Sequence, residues 1–180
     1  MFIEFTLFAA VGVLVIASIT LGYCLGKLRS SNSLHLDCVT QLPARVEFER
    51  NLSRALRARR CTRILLIDLD NFKAVNDAYG HLVGDQVLAS VAKKLQAETV
   101  AQGTLYRWGG DEFVVIFNTE SAVTSKADVD IEAFFATTKF TAGEMKMDLS
   151  CSLGWAESTE NDCIETIFQR ADESLYKHKR

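Results

Sequence analysis

Two pairs of carboxylates stand out by where they fall. Asp68 and Asp70 close the run Ile64-Leu65-Leu66-Ile67, which is apolar and β-favouring. That pattern predicts a buried central strand, and residues two apart on a strand point to one side of its sheet. An ionised carboxylate taken out of water without a partner is costly, so acids at such a strand end imply a cation or a metal-bound phosphate. The second pair, Asp111-Glu112, follows Gly109-Gly110, where missing side chains let a ligand approach the backbone. Adjacent strand residues face opposite ways, so at most one of this pair is expected to join the aspartates directly. Carboxylates converging from two chain positions suit Mg²⁺, with Mn²⁺ as the alternative, bound through few protein oxygens plus phosphate. One acid pair alone is equally the mark of a capped turn or a solvated loop. Two pairs, framed by a strand end and paired glycines, favour the metal.

Between them lies Asn76-Asp77-x-x-Gly80-His81-x-x-Gly84-Asp85. Asn and Asp side chains can read the edge of a base, and a carboxylate suits the two adjacent N–H groups of guanine. The same residues could instead serve as an Asx turn at Asn76 and a helix cap at Asp85. His81 alone is more often a packed loop histidine than a ligand. Lys73 and Lys179 can meet phosphate as point charges, although most lysines are simply solvated.

These residues need elements to hold them. A helix is expected to start at Pro43, with the apolar Val46, Phe48, Leu52, Ala55 and Leu56 following at roughly helical spacing. Helices over about 72–79 and 85–98 follow the Ile64–Asp70 strand. Leu105–Trp108 and Glu112–Phe117 read as a hairpin whose two-residue turn takes its positive φ from Gly109-Gly110. A helix near 127–137, strands near 139–145 and 147–156, and a last helix over about 163–177 complete an α+β sheet covered by helices.

Residues 5–26 contain no charged side chain. At 1.5 Å per residue that run spans the roughly 30 Å hydrocarbon core, and one transmembrane anchor over 1–26 is expected. A cleavable leader would want a basic start, yet Glu4 is the only charge ahead of the run. Lys27 and Arg29 follow it, so the positive-inside tendency is expected to put the later domain in the cytoplasm. Ser18, Gly22 and Gly26 form a small-residue ridge that would let two such helices approach. Residues 27–36 read as a polar linker and 37–180 as the soluble domain. A net charge of −3 argues against a nucleic-acid partner. The seven arginines between Arg45 and Arg63 read as a solvated helix face, or as a face turned to anionic lipid. Cys24, Cys38, Cys61, Cys151 and Cys163 form no CxxC pair or Cys/His cluster. They read as small buried side chains in a reducing compartment, not as zinc ligands.

The stretch Asp68-Leu69-Asp70-Asn71-Phe72-Lys73-x-x-Asn76-Asp77-x-x-Gly80-His81-x-x-Gly84-Asp85, followed by Arg107-Trp108-Gly109-Gly110-Asp111-Glu112-Phe113, resembles the GGDEF diguanylate cyclase family. Asp37–Arg45, Ser152-Leu153-Gly154 and Ala171–Lys179 resemble its flanking motifs, in the family's order. The resemblance implies a five-stranded central sheet flanked by helices, similar to class III nucleotidyl cyclases and polymerase palms. It implies condensation of two GTP molecules into cyclic di-GMP by a homodimer, one GTP per domain. It assigns metal binding to Asp68, the Leu69 carbonyl and Asp111, and catalysis to Asp111 as base, Glu112 and Lys73. Substrate binding would fall to Asn76, His81, Asp85, Arg107, Gly109, Gly110 and Lys179. An inactive GTP-binding or protein-interaction module is the alternative; a cyclase with a mixed or adenine product is a further one, which Asp85 disfavours. Some features depart from the pattern. Val100 and Gly103 stand where the family often carries an Arg-x-x-Asp inhibition site, so feedback through that site is not expected. Gln41 and Ala44 replace the usual Gly and Asn. The stretch between Phe117 and Ser152 is short, and the chain ends at Arg180 before the usual Gly-Arg and last strand, at an expected cost in stability and phosphate contacts.

Overall fold

A computed structural model describes Ser18, Thr20 and residues 34–117 and 131–179. The chain divides into two compact units, Met1–Leu34 and His35–Arg180. In the first, Ser18 and Thr20 are helical and exposed; the rest of the expected anchor and the expected linker as far as residue 33 lie outside the described residues. The linker's last residues already join the second unit, Leu36 bridging to Pro43. Among the described residues no helix is long and apolar enough to cross a membrane.

The second unit is built on the predicted apolar strand. β1 (Arg63–Leu69) lies between β3 (Glu112–Phe117) and β6 (Cys151–Glu157), antiparallel to both, and β2 (Gly103–Gly109) pairs with β3 outside it. The sheet order is β2-β3-β1-β6. Helices cover both faces, which is why β1 reads as a continuous apolar run and not an alternating one. Leu65, Ile67 and Leu69 pack on one side beneath α2 (Phe72–Tyr79) and α3 (His81–Thr99), whose Val87, Leu88, Val91, Ala92 and Leu95 recur at helical spacing. Ile64 and Leu66 face α1 (Arg45–Arg57) and α5 (Ile164–His178), meeting Phe48, Leu52, Ile167, Ala171 and Leu175. Each such fully buried aliphatic contributes about 1.5–3 kcal/mol.

Among the described residues four strands form this sheet, where the resemblance implied five. α4 (Ile131–Thr137) falls where a helix was expected, and the segment expected to hold two long strands contains β4 (Phe140–Ala142), β5 (Met145–Met147) and then β6. β4 and β5 form a separate two-stranded ribbon. Gly143, at φ 57°, folds the chain back there, inside the segment expected as a single strand near 139–145. α2 matches its expected span. α3 starts earlier than expected, at His81, because Gly80 (φ 82°) turns the chain directly from one helix into the next. α1 begins at Arg45 rather than Pro43, whose carbonyl instead accepts the Arg107 N–H at 3.0 Å. The expectation of buried cysteines holds for Cys151 only: Cys38, Cys61 and Cys163 are exposed, lying in connecting segments rather than in the sheet. Cys24 is outside the described residues.

Candidate active site

The end of β1 carries the first acid pair. In register, Asp68 faces Glu112 on β3 and Ser152 on β6. Directly opposed residues of antiparallel strands project to the same face, so two carboxylates sit side by side there. Glu112 is thus the member of the second pair opposite Asp68 in register, while Asp111 acts on Asp68 from the turn. Asp70 lies just beyond the strand, and its Oδ1 accepts the Ser152 hydroxyl at 2.7 Å.

The glycine turn differs from its expected form. Gly109 closes β2 opposite Glu112, and the two turn residues are Gly110 and Asp111. Only Gly110 has positive φ, at 47°. A register shift between Arg107 and Gly109 leaves Trp108 as the bulged residue, which re-aims the turn. The Asp111 carbonyl accepts the Leu69 N–H at 3.3 Å. That bond ties the hairpin tip to the end of β1, next to both metal-ligand candidates on that strand. Trp108 anchors the bulge from behind: its ring stacks on Phe168 at 4.1 Å, and the Arg45 guanidinium lies 4.0 Å over it.

The acids act on one another. Burial pushes the Asp68 carboxyl up; Lys179 pulls it back, and the Asp111 and Asp70 charges push it further up. Glu112 is raised by burial and then by Asp68 and Asp111. Lys179 Nζ stands 3.0 Å from Asp68 Oδ2. Partial burial works against its charge, but Asp68, Asp111 and Glu112 outweigh that and hold it above the usual lysine value. Asp68, Glu112, Asp172, Glu173, Tyr176 and Lys179 line an open cavity of about 540 Å³. Asp172 escaped the sequence reading, although Asp172, Tyr176 and Lys179 recur at helical spacing on α5. Among the described residues no group of three or more acids, histidines or cysteines stands at ready metal-binding spacing. The donor set nonetheless fits a hard divalent cation: carboxylate and carbonyl oxygens, with a lysine ammonium already countering their charge.

The guanine candidates lie on the other helix layer. A Cβ on Gly84 would stand 1.9 Å from Asn76 Oδ1, so the Asn76 side chain lies across Gly84, one residue from Asp85. Neither alternative role survives: Asn76 is inside α2, and Asp85 is in the second turn of α3, past its Gly80 cap. His81, Lys73 and Asp85 are exposed. Arg107 joins the two halves of the site. Burial lowers its pKa, while Asp37, Asp111, Asp85 and Glu112 all favour its charge. It is 8% exposed, its guanidinium lies 4.8 Å from the Phe113 ring centre, and its Nη1 is the one buried side-chain nitrogen or oxygen without a hydrogen bond among the described residues. Asp37 itself is held low: burial opposes this, but Thr40, through its N–H at 2.8 Å and its hydroxyl at 2.7 Å, and Arg107 outweigh it. Gln41 takes the left-handed conformation a glycine would take, at φ 59°, and its amide donates to the Cys38 carbonyl at 2.9 Å. Gly103 has no room for the carboxylate the resemblance would place there, since a Cβ would lie 2.5 Å from the Ile116 carbonyl oxygen. Val100 is exposed.

A family profile described as the diguanylate cyclase GGDEF domain matches residues 34–180. This chain belongs to that family. The GGDEF domain here is 38% identical over 150 residues to a probable diguanylate cyclase, DgcI, of Escherichia coli K12, covering 83% of this chain and 32% of that protein. It is 32% identical to the diguanylate cyclase VdcA of Vibrio cholerae, covering 79% of this chain and 43% of the relative. The chain therefore spans less than half the length of these curated relatives. The coiled coil and GGDEF domain of DgcB from Caulobacter crescentus, solved with c-di-GMP, superposes at a TM-score of 0.71 with 27% identity, covering 97% of this chain and 94% of that one. The diguanylate cyclase SiaD of Pseudomonas aeruginosa, solved with its activator SiaC, superposes at 0.73 with 25% identity, covering 93% and 68%.

Proposed function

We propose that this chain is a membrane-anchored diguanylate cyclase, condensing two GTP into cyclic di-GMP and two pyrophosphates at the cytoplasmic face of a bacterial inner membrane. The observation that carries this reading is the acid edge: Asp68 and Glu112 in register, Asp111 on the turn tied to Leu69, and Arg107 holding an open donor behind them.

Asn76 and Asp85 take the guanine edge, with His81 at the first turn of α3. Lys73, Lys179 and the bare backbone of Gly109-Gly110 take the phosphates, and Arg107 offers Nη1 to the nucleotide. A divalent cation held by Asp68, the Leu69 carbonyl and Asp111, with Glu112 in support, would neutralise phosphate charge and lower the pKa of the attacking hydroxyl. Asp111 accepts the 3′-hydroxyl proton. The 3′-oxygen then bonds to the α-phosphorus of the other nucleotide, and the bond to pyrophosphate breaks. A second attack in the opposite direction closes the ring. Because each domain holds one nucleotide, two copies must face each other. The charge-free residues 5–26, followed by Lys27 and Arg29, support the anchor and its orientation, which a reporter fused at either terminus tests.

The deciding experiment incubates the full chain in detergent with GTP and Mg²⁺, beside Asp111→Ala, and identifies products by mass. Cyclic di-GMP from the wild type alone is the expected result. GTP bound without turnover would instead mark an inactive nucleotide-binding module.

A further inference from the structure

The Lys179–Asp68 pair places a cation on the carboxylate assigned to a metal. Lys179 ends α5 with its N–H bonded to the Leu175 carbonyl at 3.1 Å. Its backbone is therefore fixed, while a four-carbon stem lets the ammonium move. Asp68 is mostly shielded, with 15% of its side chain exposed, whereas Lys179 is 43% exposed. An ion pair with one member so open to water is weak and exchanges readily. The ammonium also stands close enough to Asp111 and Glu112 to be influenced by both. It therefore opposes any second cation at that edge. A nucleotide triphosphate carries far more negative charge than one aspartate, and the same lysine is assigned to meet it.

We propose that Lys179 is a built-in placeholder for the divalent cation: its ammonium holds Asp68 until nucleotide phosphate draws it away, so metal binding becomes conditional on nucleotide. This rests on the reading of Asp68 as a metal ligand. Its consequence is an ordered site. Metal alone binds weakly, nucleotide frees Asp68, and the two ligands bind with positive coupling that passes through one side chain. The acid edge is also kept from gathering stray cations when no substrate is present.

The test titrates Mn²⁺ into the full chain without nucleotide and follows free Mn²⁺ by electron paramagnetic resonance. Lys179→Met should bind Mn²⁺ roughly two- to fivefold more tightly than wild type, the range a half-exposed ion pair allows. Lys177→Met, which removes an equal charge from the same cavity, should change the affinity little. An α,β-methylene analogue of GTP should tighten Mn²⁺ binding in the wild type and much less in Lys179→Met. Unchanged or weaker binding in Lys179→Met would overturn the placeholder, as would an equal gain in Lys177→Met, which would mean only a weaker overall field. Asp68→Asn separates this failure from a deeper one. If Asp68→Asn loses Mn²⁺ while Lys179→Met gains nothing, the placeholder falls and the metal site stands. If Asp68→Asn binds Mn²⁺ normally, the metal assignment itself is wrong.

Discussion

At the scale of single residues, the site is set by which carboxylates share an environment. Asp111 touches β1 through its backbone and is itself half-buried, its charge acting on Asp68, Arg107 and Lys179. Asp111→Asn is expected to cut product formation on the order of a hundredfold or more, the range for losing a general base, while GTP binding survives. Product mass and equilibrium dialysis check both halves. The pH dependence carries opposite signs at two places. Burial, then the neighbouring acids, raise Asp68 and Glu112. Their contribution to the metal-free fold is present while they are protonated and is lost as pH rises from the unfolded carboxylate range through the raised values. Glu47 is lowered first by its hydrogen bond from His35, against burial, with Arg50 adding to the effect. Its contribution is present above the ordinary glutamate value and is lost as pH falls through the depressed one. Saturating Mg²⁺ should therefore raise Tm by about 5–10 °C at pH 7.5 at a hundred times Kd, and by less at pH 5, where protons compete for Asp68. Scanning calorimetry at the two pH values reads the difference.

At the scale of elements, close approaches decide which glycines matter. Gly84→Ala drives a Cβ into Asn76 Oδ1 and should weaken GTP binding about tenfold, one lost hydrogen bond to the base, with little change in Tm. Asn76→Ala should lose a similar amount, and the double variant little more, since both act through one contact. Gly154→Ala is different in kind: its Cβ would stand 2.2 Å from the Ala171 carbonyl oxygen, where α5 crosses β6. A loss of about 1–3 kcal/mol is expected, read as a shifted urea midpoint. β1 was legible in the sequence because both of its faces are buried, and α2 because its apolar positions share one face. The α3 start was not, since Gly80 ends one helix and begins the next with no capping side chain to mark it. The β4–β5 ribbon was missed because its reversal rests on Gly143 alone. The chemistry-bearing residues could be named from their motif, but not their grouping. That Glu112 lies opposite Asp68, and that Lys179 pairs with it, depends on register and on a helix more than a hundred residues away.

At the scale of the whole molecule, the proposed reaction joins two nucleotides held one per domain, and so requires two copies. Specific activity of the full chain should rise with protein concentration and then level, and Asp111→Ala added in excess should depress wild-type turnover beyond simple dilution. Neither effect is expected of an enzyme with a self-contained site. A shortened chain starting at His35, the boundary of the second compact unit, should reach the same maximal rate only at higher concentration if residues 5–26 bring the copies together.

The sheet order has a consequence for how the protein is made. β1 sits between β3 and β6, so its second neighbour leaves the ribosome some ninety residues after it does. At synthesis rates of about 5–20 residues per second, an apolar strand waits several seconds with one edge open. The acids of β1 and β3 can pair earlier, but Ser152 on β6 joins them only when that strand docks, and Lys179 arrives later still. The site therefore cannot be complete in a newborn chain until residue 179 has been made, and the interval in which the apolar β1 edge stays open is when chaperones are most needed.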